Sequence, residues 1–253
     1  MEVKCGNPKT MTDIHMHLTP GVDDGSADLD MSMILMLRAR EQGISRIFAT
    51  PHSFAFDWDG AWVMQEFQKL KKKAEQLFPD MEVFFGCEVY CDACQMAQTV
   101  ENLAAGRYPG MNGTNYVLIE FSTHIAAEDA LGCAAALRQA GWIPIVAHME
   151  RYRNLRQDMQ TVGAFRAMGC LVQINAYSLR EELDGEILDW ARQLVTSGMV
   201  DFLGTDAHRT YHRSPSATSG LDWIYENCEE EYADAISFGN AQKLLINRET
   251  KAE

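Results

Sequence analysis

No stretch of the 253-residue chain holds the roughly 20 consecutive apolar residues that a membrane-spanning helix requires, so insertion into a bilayer is not expected. Met1 to Thr10 is polar and lacks the apolar centre of a secretory leader, which makes the cytoplasm the expected location. Basic residues are scarce: 22 Lys and Arg against 36 Asp and Glu leave a formal charge of −14. Nucleic acid is therefore a poor partner, because a phosphate backbone is held by a basic footprint. The surplus carboxylates solvate the surface, serve as cation ligands, or do both. Seven cysteines, an odd number without a secretory signal, argue against a disulfide framework. Cys91-Asp-Ala-Cys94 is a lone C-x-x-C pattern and reads as incidental thiols on a helix surface. Linkers, low-complexity tracts and short-period repeats are missing too, so one domain is expected over residues 1–253, with Met1 to Thr10 as an N-terminal extension.

What is present is a strand–helix rhythm. Strands are expected at Thr12–His17, Ser45–Thr50, Met81–Glu88, Tyr116–Phe121, Ile143–His148, Cys170–Asn175 and Val200–Thr205. Helices are expected at Ser26–Gln42 (capped by Ser26), Trp58–Leu77, Asp92–Ala105, Ala127–Ala140, Asn154–Met168, Glu182–Ser197, Leu221–Asn227 and Asn240–Asn247. The strands are continuous apolar runs, as strands buried on both faces are. Alternation with helices implies a parallel sheet, and seven strands in this length favour an α/β barrel over an open doubly wound sheet.

The ligand-type side chains fall at corresponding places. His15, His17, His52 and His148 sit at or just past strand carboxyl ends, with His208 just after the last strand. Glu88, Glu120 and Asp206 occupy equivalent positions. That edge is where parallel α/β folds place their sites. His15 and His17 are two apart, hence on one face of a strand, and Asp206 and His208 repeat the spacing at the far end of the sequence. Closing a barrel would bring the two pairs together. Any one of these residues has an ordinary structural use, but eight carboxylates and imidazoles gathered together are costly without cations between them. Imidazole and carboxylate without thiolate suit Mn, Zn or Fe, and so many ligands have room for more than one ion. Paired ions activate water and clamp a phosphoryl group.

The series Asp13-Ile-His-Met-His17, Gly21-Val-Asp-Asp-Gly25, Ala49-Thr-Pro-His52, Gly86-Cys-Glu-Val-Tyr90, Leu118-Ile-Glu-Phe-Ser122, Ala147-His-Met-Glu-Arg-Tyr152, Gln173-Ile-Asn175 and Thr205-Asp-Ala-His208 resembles the polymerase-and-histidinol-phosphatase (PHP) superfamily. The match is closer to one branch, the manganese-dependent protein-tyrosine phosphatases of bacterial capsule and exopolysaccharide systems, and it runs from about residue 11 to 247. The resemblance implies a distorted (β/α)7 barrel and two or three divalent ions per chain, Mn foremost, with Fe or Zn as alternatives. It implies His15, His17, His52, Glu88, Glu120, His148, Asp206 and His208 as ligands and Arg151 and Arg213 as catalytic arginines. Asp24 is implied near the ions, although Asp23 and Asp24 read first as turn residues before Gly25. The implied activity is metal-assisted hydrolysis of phosphotyrosine in a protein, a bacterial tyrosine kinase being the implied partner, with His208 or Asp206 as a possible proton donor. The rivals are a histidinol-phosphate-type phosphatase, a phosphodiesterase disfavoured by the acidic charge, and a metal-binding regulator with little turnover. A thiol mechanism is not expected, since no cysteine has Arg six residues later. The sequence is silent on oligomeric state.

Overall fold

The computed structural model describes residues 10–180 and 185–246. All its strand ladders are parallel and fall into two sheets. The first holds β1 (Met11–Met16), β2 (Ile44–Ala49) and β3 (Glu82–Phe85), in that order. The second runs β4 (Glu88–Tyr90), β5 (Tyr116–Glu120), β6 (Ile143–Val146), β7 (Leu171–Asn175) and β8 (Phe202–Gly204). The sheets meet at both edges through isolated parallel bridges, Met16 with Ala207 and His52 with Glu88, and not through a continuous ladder. Near the first bridge, the backbone N–H groups of His17 and Asp206 donate to the Ala207 and His15 carbonyls at 3.0 and 2.7 Å. Below it the buried Asp13 carboxylate accepts from the Thr205 N–H and hydroxyl at 2.9 and 2.5 Å.

Helices α1 (Leu29–Glu41), α2 (Ser53–Leu77), α3 (Met96–Ala104), α4 (Ala127–Gln139), α5 (Met159–Ala167) and α6 (Gly185–Thr196) follow strands, and α7 (Thr218–Asn227), α8 (Glu230–Asp234) and α9 (Gln242–Leu245) complete the C-terminal part. An apolar layer joins strands to helices: Leu35, Phe67, Leu137, Phe165 and Trp190 are buried in it. A second, smaller cluster takes Ile14, Phe48, Leu118, Ile145 and Phe202 from five different strands, stoppered by Met111, Ala241 and Leu244. The polar residues at the strand carboxyl ends stand next to this cluster. Leu118 and Glu120 show the step, two apart on β5, one in the cluster and one in the site.

Several expected boundaries shift for local reasons. The strand expected over 81–88 is two strands, because the chain leaves one sheet at Phe85 and enters the other at Glu88. Ser26 does not cap α1: its hydroxyl is buried against Ser32 Oγ at 2.8 Å, and Asp28 caps instead by accepting from Met31 N–H. α2 begins at Ser53, not Trp58, and breaks at Asp59, whose side chain accepts from Trp62 N–H and restarts the helix. α5 begins at Met159, where Asp158 caps it, because Arg153–Leu155 is a separate 3-10 turn. The first three residues of the helix expected from Glu182, the residue Asn247, and residues 1–9 of the expected extension lie outside the described residues. Of the C-x-x-C pair, Cys94 is exposed but Cys91 is buried behind the end of β4 and is no helix-surface thiol.

Candidate metal centre

Glu88 stands at the middle of the strand-end cluster. Its Oε1 lies 3.1 Å from His15 Nε2 and 3.0 Å from His148 Nε2, and its Oε2 lies 3.1 Å from both His17 Nε2 and His52 Nδ1. Asp206 Oδ1 is 3.5 Å from the Nε2 atoms of both His15 and His17. Glu120 closes the open side, 2.9 Å from His52 Nδ1 and 3.8 Å from His148 Nε2. His208 Nε2 and His52 Nε2 each lie 3.4 Å from Asp24 Oδ1. All eight expected ligand residues are thus in one cluster, with Asp24 as a ninth. His124 and His212 are exposed and stand outside it.

The backbone is bent to make this possible. Pairing of β1 with β2 slips between Asp13 and Met16. The bulge lets Ile14 fill the inner apolar cluster while its neighbour His15 reaches the site, which strict alternation forbids. His148 and Asp206 hold positive φ values of 33° and 53°, a conformation that costs a non-glycine residue about 1 kcal/mol or more, and Arg213 does the same at 56°. Two glycines make room: a side chain at Gly25 would fall 2.4 Å from His17 Cβ, and one at Gly204 would fall 2.7 Å from His15 Cβ.

Neighbouring acceptors decide which imidazole nitrogen faces inward. Gln173 Oε1 accepts from the His148 N–H at 2.9 Å and lies 3.1 Å from His15 Nδ1, which must therefore carry the proton. Asp23 Oδ2 takes the proton of His17 Nδ1 at 2.8 Å and also accepts from the His52 N–H. The Asp206 carbonyl takes that of His208 Nδ1 at 2.8 Å. Three Nε2 lone pairs are thereby aimed at the centre, as in sites where outer hydrogen bonds fix the ligating tautomer. In the sequence Gln173 is only part of the Gln173-Ile-Asn175 motif and Asp23 reads as a turn residue, so neither role shows there. The proximity of Asp23 to Gly25 showed the turn but not its direction.

Lone pairs cannot face carboxylate oxygens at 3.1 Å unless positive charge lies between them. In the metal-free protein protons supply it. Burial opposes charge on His15, but Glu88 and Asp206 outweigh burial and raise its pKa. Burial likewise opposes His17, and Asp23 carries it well above the usual range. For His52 burial is overcome by the nearby carboxylates of Asp24, Glu120 and Glu88, which raise its pKa. Glu88 and Asp206 are raised by burial yet held well below the ordinary carboxylate range, in both cases chiefly by His15. The inward-facing atoms are incompletely satisfied: Glu88 Oε2, His52 Nδ1 and His208 Nε2 have no aligned hydrogen-bond partner. Divalent cations fit this donor set, and four overlapping groups have ligand atoms close enough to share one: His17, Asp24, His52 and His208; His15, Glu88 and His148; His15, His17 and Asp206; and His52, Glu88 and Glu120.

Both expected arginines reach the rim, and both bind the same carboxylate. Arg151 Nη1 donates to Asp206 Oδ2 at 2.7 Å, and Arg213 Nη2 lies 2.8 and 2.9 Å from Oδ1 and Oδ2. Buried Glu150 braces the Arg151 segment by accepting from Asn175 N–H and from the Ser178 hydroxyl.

Parallel strands whose carboxyl ends gather five imidazoles and four carboxylates, with two arginines at the rim, define an α/β protein built around a candidate centre for divalent ions. The chain belongs to the capsular polysaccharide synthesis family CpsB/CapC, whose sequence profile it matches over residues 11–246. It is 29% identical over 244 residues to tyrosine-protein phosphatase CpsB of Streptococcus agalactiae serotype III (strain NEM316), covering 94% of this chain and 99% of the relative. Tyrosine-protein phosphatase YwqE of Bacillus subtilis (strain 168) is 28% identical over 243 residues, covering 94% and 92%. In three dimensions the chain is similar, with a TM-score of 0.79 and 27% identity over 94% of this chain and 95% of the other, to a solved structure from work on YwqE from Bacillus subtilis and CpsB from Streptococcus pneumoniae, described as unique metal-dependent tyrosine phosphatases.

Proposed function

We propose that this protein hydrolyses phosphotyrosine in proteins with the help of two or three divalent ions, Mn foremost, held by His15, His17, His52, Glu88, Glu120, His148, Asp206 and His208, with Asp24 added. The fold that carries them is a single distorted α/β barrel acting in the cytoplasm, and the partner is a tyrosine kinase of polysaccharide synthesis. The observation that carries the reading is the set of Nε2 lone pairs that Gln173 and Asp23 aim, on His15 and His17, at Glu88 and Asp206, with that of His208, set by the Asp206 carbonyl, aimed at Asp24. Family membership and the names of the relatives support the substrate class.

Divalent ions at such a site acidify water and draw charge from phosphoryl oxygens. The chain's own groups do the rest. Arg151 and Arg213 hold Asp206 in place and have further N–H groups that bond nothing among the described residues and could bind phosphate oxygens, for which the guanidinium fork is suited. Asp206 does not serve as the proton donor, because it is one of the proposed ligands and its oxygens accept from Arg151 and Arg213. His208 is better placed as a ligand than as a donor, since its Nδ1 proton is committed to the Asp206 carbonyl and only Nε2 faces the site. A tyrosine leaving group, with a pKa of about 10, departs without strong acid assistance.

The test is hydrolysis of a phosphotyrosine peptide by chelator-stripped protein, with and without added Mn²⁺, Fe²⁺ or Zn²⁺, beside histidinol phosphate. Activity that requires metal and disappears in His15→Ala is the expected result. Inactivity on the peptide with every metal, or a clear preference for histidinol phosphate, removes the reading.

A further inference from the structure

The centre explains how a phosphate is held but not why an aryl phosphate is chosen. Next to His52 and Glu88 along the chain, a pocket of about 200 Å³ is lined by Ser53, Phe54, Asp57, Tyr90, Asn102 and Tyr108 among others. Its walls are tied to the candidate ligands through the backbone. Ser53 and Phe54 directly follow His52, and Tyr90 lies two residues beyond Glu88 and opposite Glu120 in the parallel ladder. The Phe54 ring stacks on the His52 imidazole, with centroids 5.2 Å apart and planes 26° apart, yet Phe54 is 54% exposed. Tyr90, which also lines the pocket, is 45% exposed. Two large rings this exposed beside a polar centre leave aromatic surface open to a ligand.

The chemistry of the walls selects what enters. No Lys or Arg lines the pocket, and Asp57 and Asp92 do, so an anion is turned away towards the centre. Both carboxylates have partners within the protein. Asp57 accepts from the Tyr108 hydroxyl at 2.7 Å and lies 3.4 Å from Arg107 Nε, and Asp92 accepts from the Cys94 N–H at 2.8 Å. What remains is a slot for an uncharged, flat group attached to a phosphate. We propose that Phe54 and Tyr90 form the subsite for the tyrosyl ring of the substrate and so set the preference for aryl over alkyl phosphates. This rests on the phosphotyrosine reading above. Phe54 extends the stacked surface of His52 outward, so a ring whose phosphate lies among His52, Glu88 and Glu120 has an aromatic face to leave along. A seryl phosphate has nothing to put there.

The test compares wild type, Phe54→Ala, Phe54→Tyr and Tyr90→Ala on a phosphotyrosine peptide and on the phosphoserine peptide of the same sequence. Bound metal is assayed in each protein, and binding of a phosphonomethyl-phenylalanine peptide is followed by calorimetry. The expected result is a fall of about tenfold in the phosphotyrosine-to-phosphoserine ratio of kcat/KM for Phe54→Ala, carried by KM and matched by weaker phosphonate binding. A smaller fall is expected for Tyr90→Ala, with recovery in Phe54→Tyr and unchanged metal content throughout. An unchanged ratio overturns the subsite, and so does metal loss in Phe54→Ala, which would make Phe54 a prop for His52. Wild-type inactivity on phosphotyrosine instead removes the phosphotyrosine reading itself, and the subsite with it.

Discussion

His15, His17, Glu88 and Asp206 have side chains no more than 1% exposed, whereas His52, Glu120 and Asp24 are 17%, 18% and 57% exposed. The two halves of one centre are therefore held in different ways. On the inner side each imidazole has its outer nitrogen tied, His15 to Gln173 and His17 to Asp23, and the carboxylates have several partners, Asp206 with two arginines. The geometry there exists before any ion arrives. On the outer side Asp24 meets only imidazole edges at 3.4 Å, a distance that a bound cation would have to improve. Rigid ligands are expected to set affinity, and loose ones to admit the substrate and complete the outermost position.

That contrast is open to attack, beginning where the effect should be greatest. His15→Ala removes an inner ligand shared by two candidate groups and is expected to lower turnover by at least about a thousandfold, with loss of bound metal in elemental analysis. Retention of full metal content would break the claim that the inner half dominates. Arg151→Ala should lower kcat/KM by about a hundredfold, while Arg151→Lys recovers only part, since a point charge does not reproduce the fork. Gln173→Leu frees the outer nitrogen of His15 and should weaken metal binding by about 10–100-fold by titration, although Gln173 itself touches no ion. Asp24→Asn is expected to cost about tenfold or less, and to reduce the number of ions bound at low metal concentration. A larger loss than Gln173→Leu would invert the comparison.

The smallest effect is on stability. His15, His17 and His52 have pKa values raised above the unfolded value of 6.5, so the folded metal-free chain binds more protons than the unfolded chain at neutral pH. Their contribution is complete below pH 6.5 and is lost as pH rises through the folded values. The Tm of metal-free protein should therefore fall between pH 6.5 and 9. The increment produced by saturating Mn²⁺ should grow over the same range, because ions replace those protons. Scanning calorimetry with and without metal checks both slopes, and a metal-free Tm that climbs with pH would contradict the proton-held centre.

Much of this centre was legible beforehand because ligand-type residues at strand ends are visible as spacing. His15 and His17 or Asp206 and His208 need only a strand and a direction to be placed. Asp23, Asp24 and Gln173 were harder, since a turn aspartate and a strand glutamine have common structural uses. Only the fold brings Asp23 against His17 and His52, and Gln173 between His15 and the His148 backbone. The break at residues 86–87 was hidden for a similar reason. An apolar run does not reveal that its two ends pair in different sheets.

By itself the sequence determined the strand–helix alternation and the side of the sheets on which imidazoles and carboxylates stand. These are local consequences of periodicity and residue type. Tertiary structure alone decided which nitrogen of each histidine faces inward, that both arginines converge on Asp206, and that Phe54 stacks on His52 beside an open pocket. The tautomer of His15 and the reach of Arg151 depend on partners far apart in the chain, Gln173 and Asp206, and the rest depend on turns whose direction the fold sets and on backbone bends at His148 and Asp206 that no local preference favours. Only packing around the site holds them there.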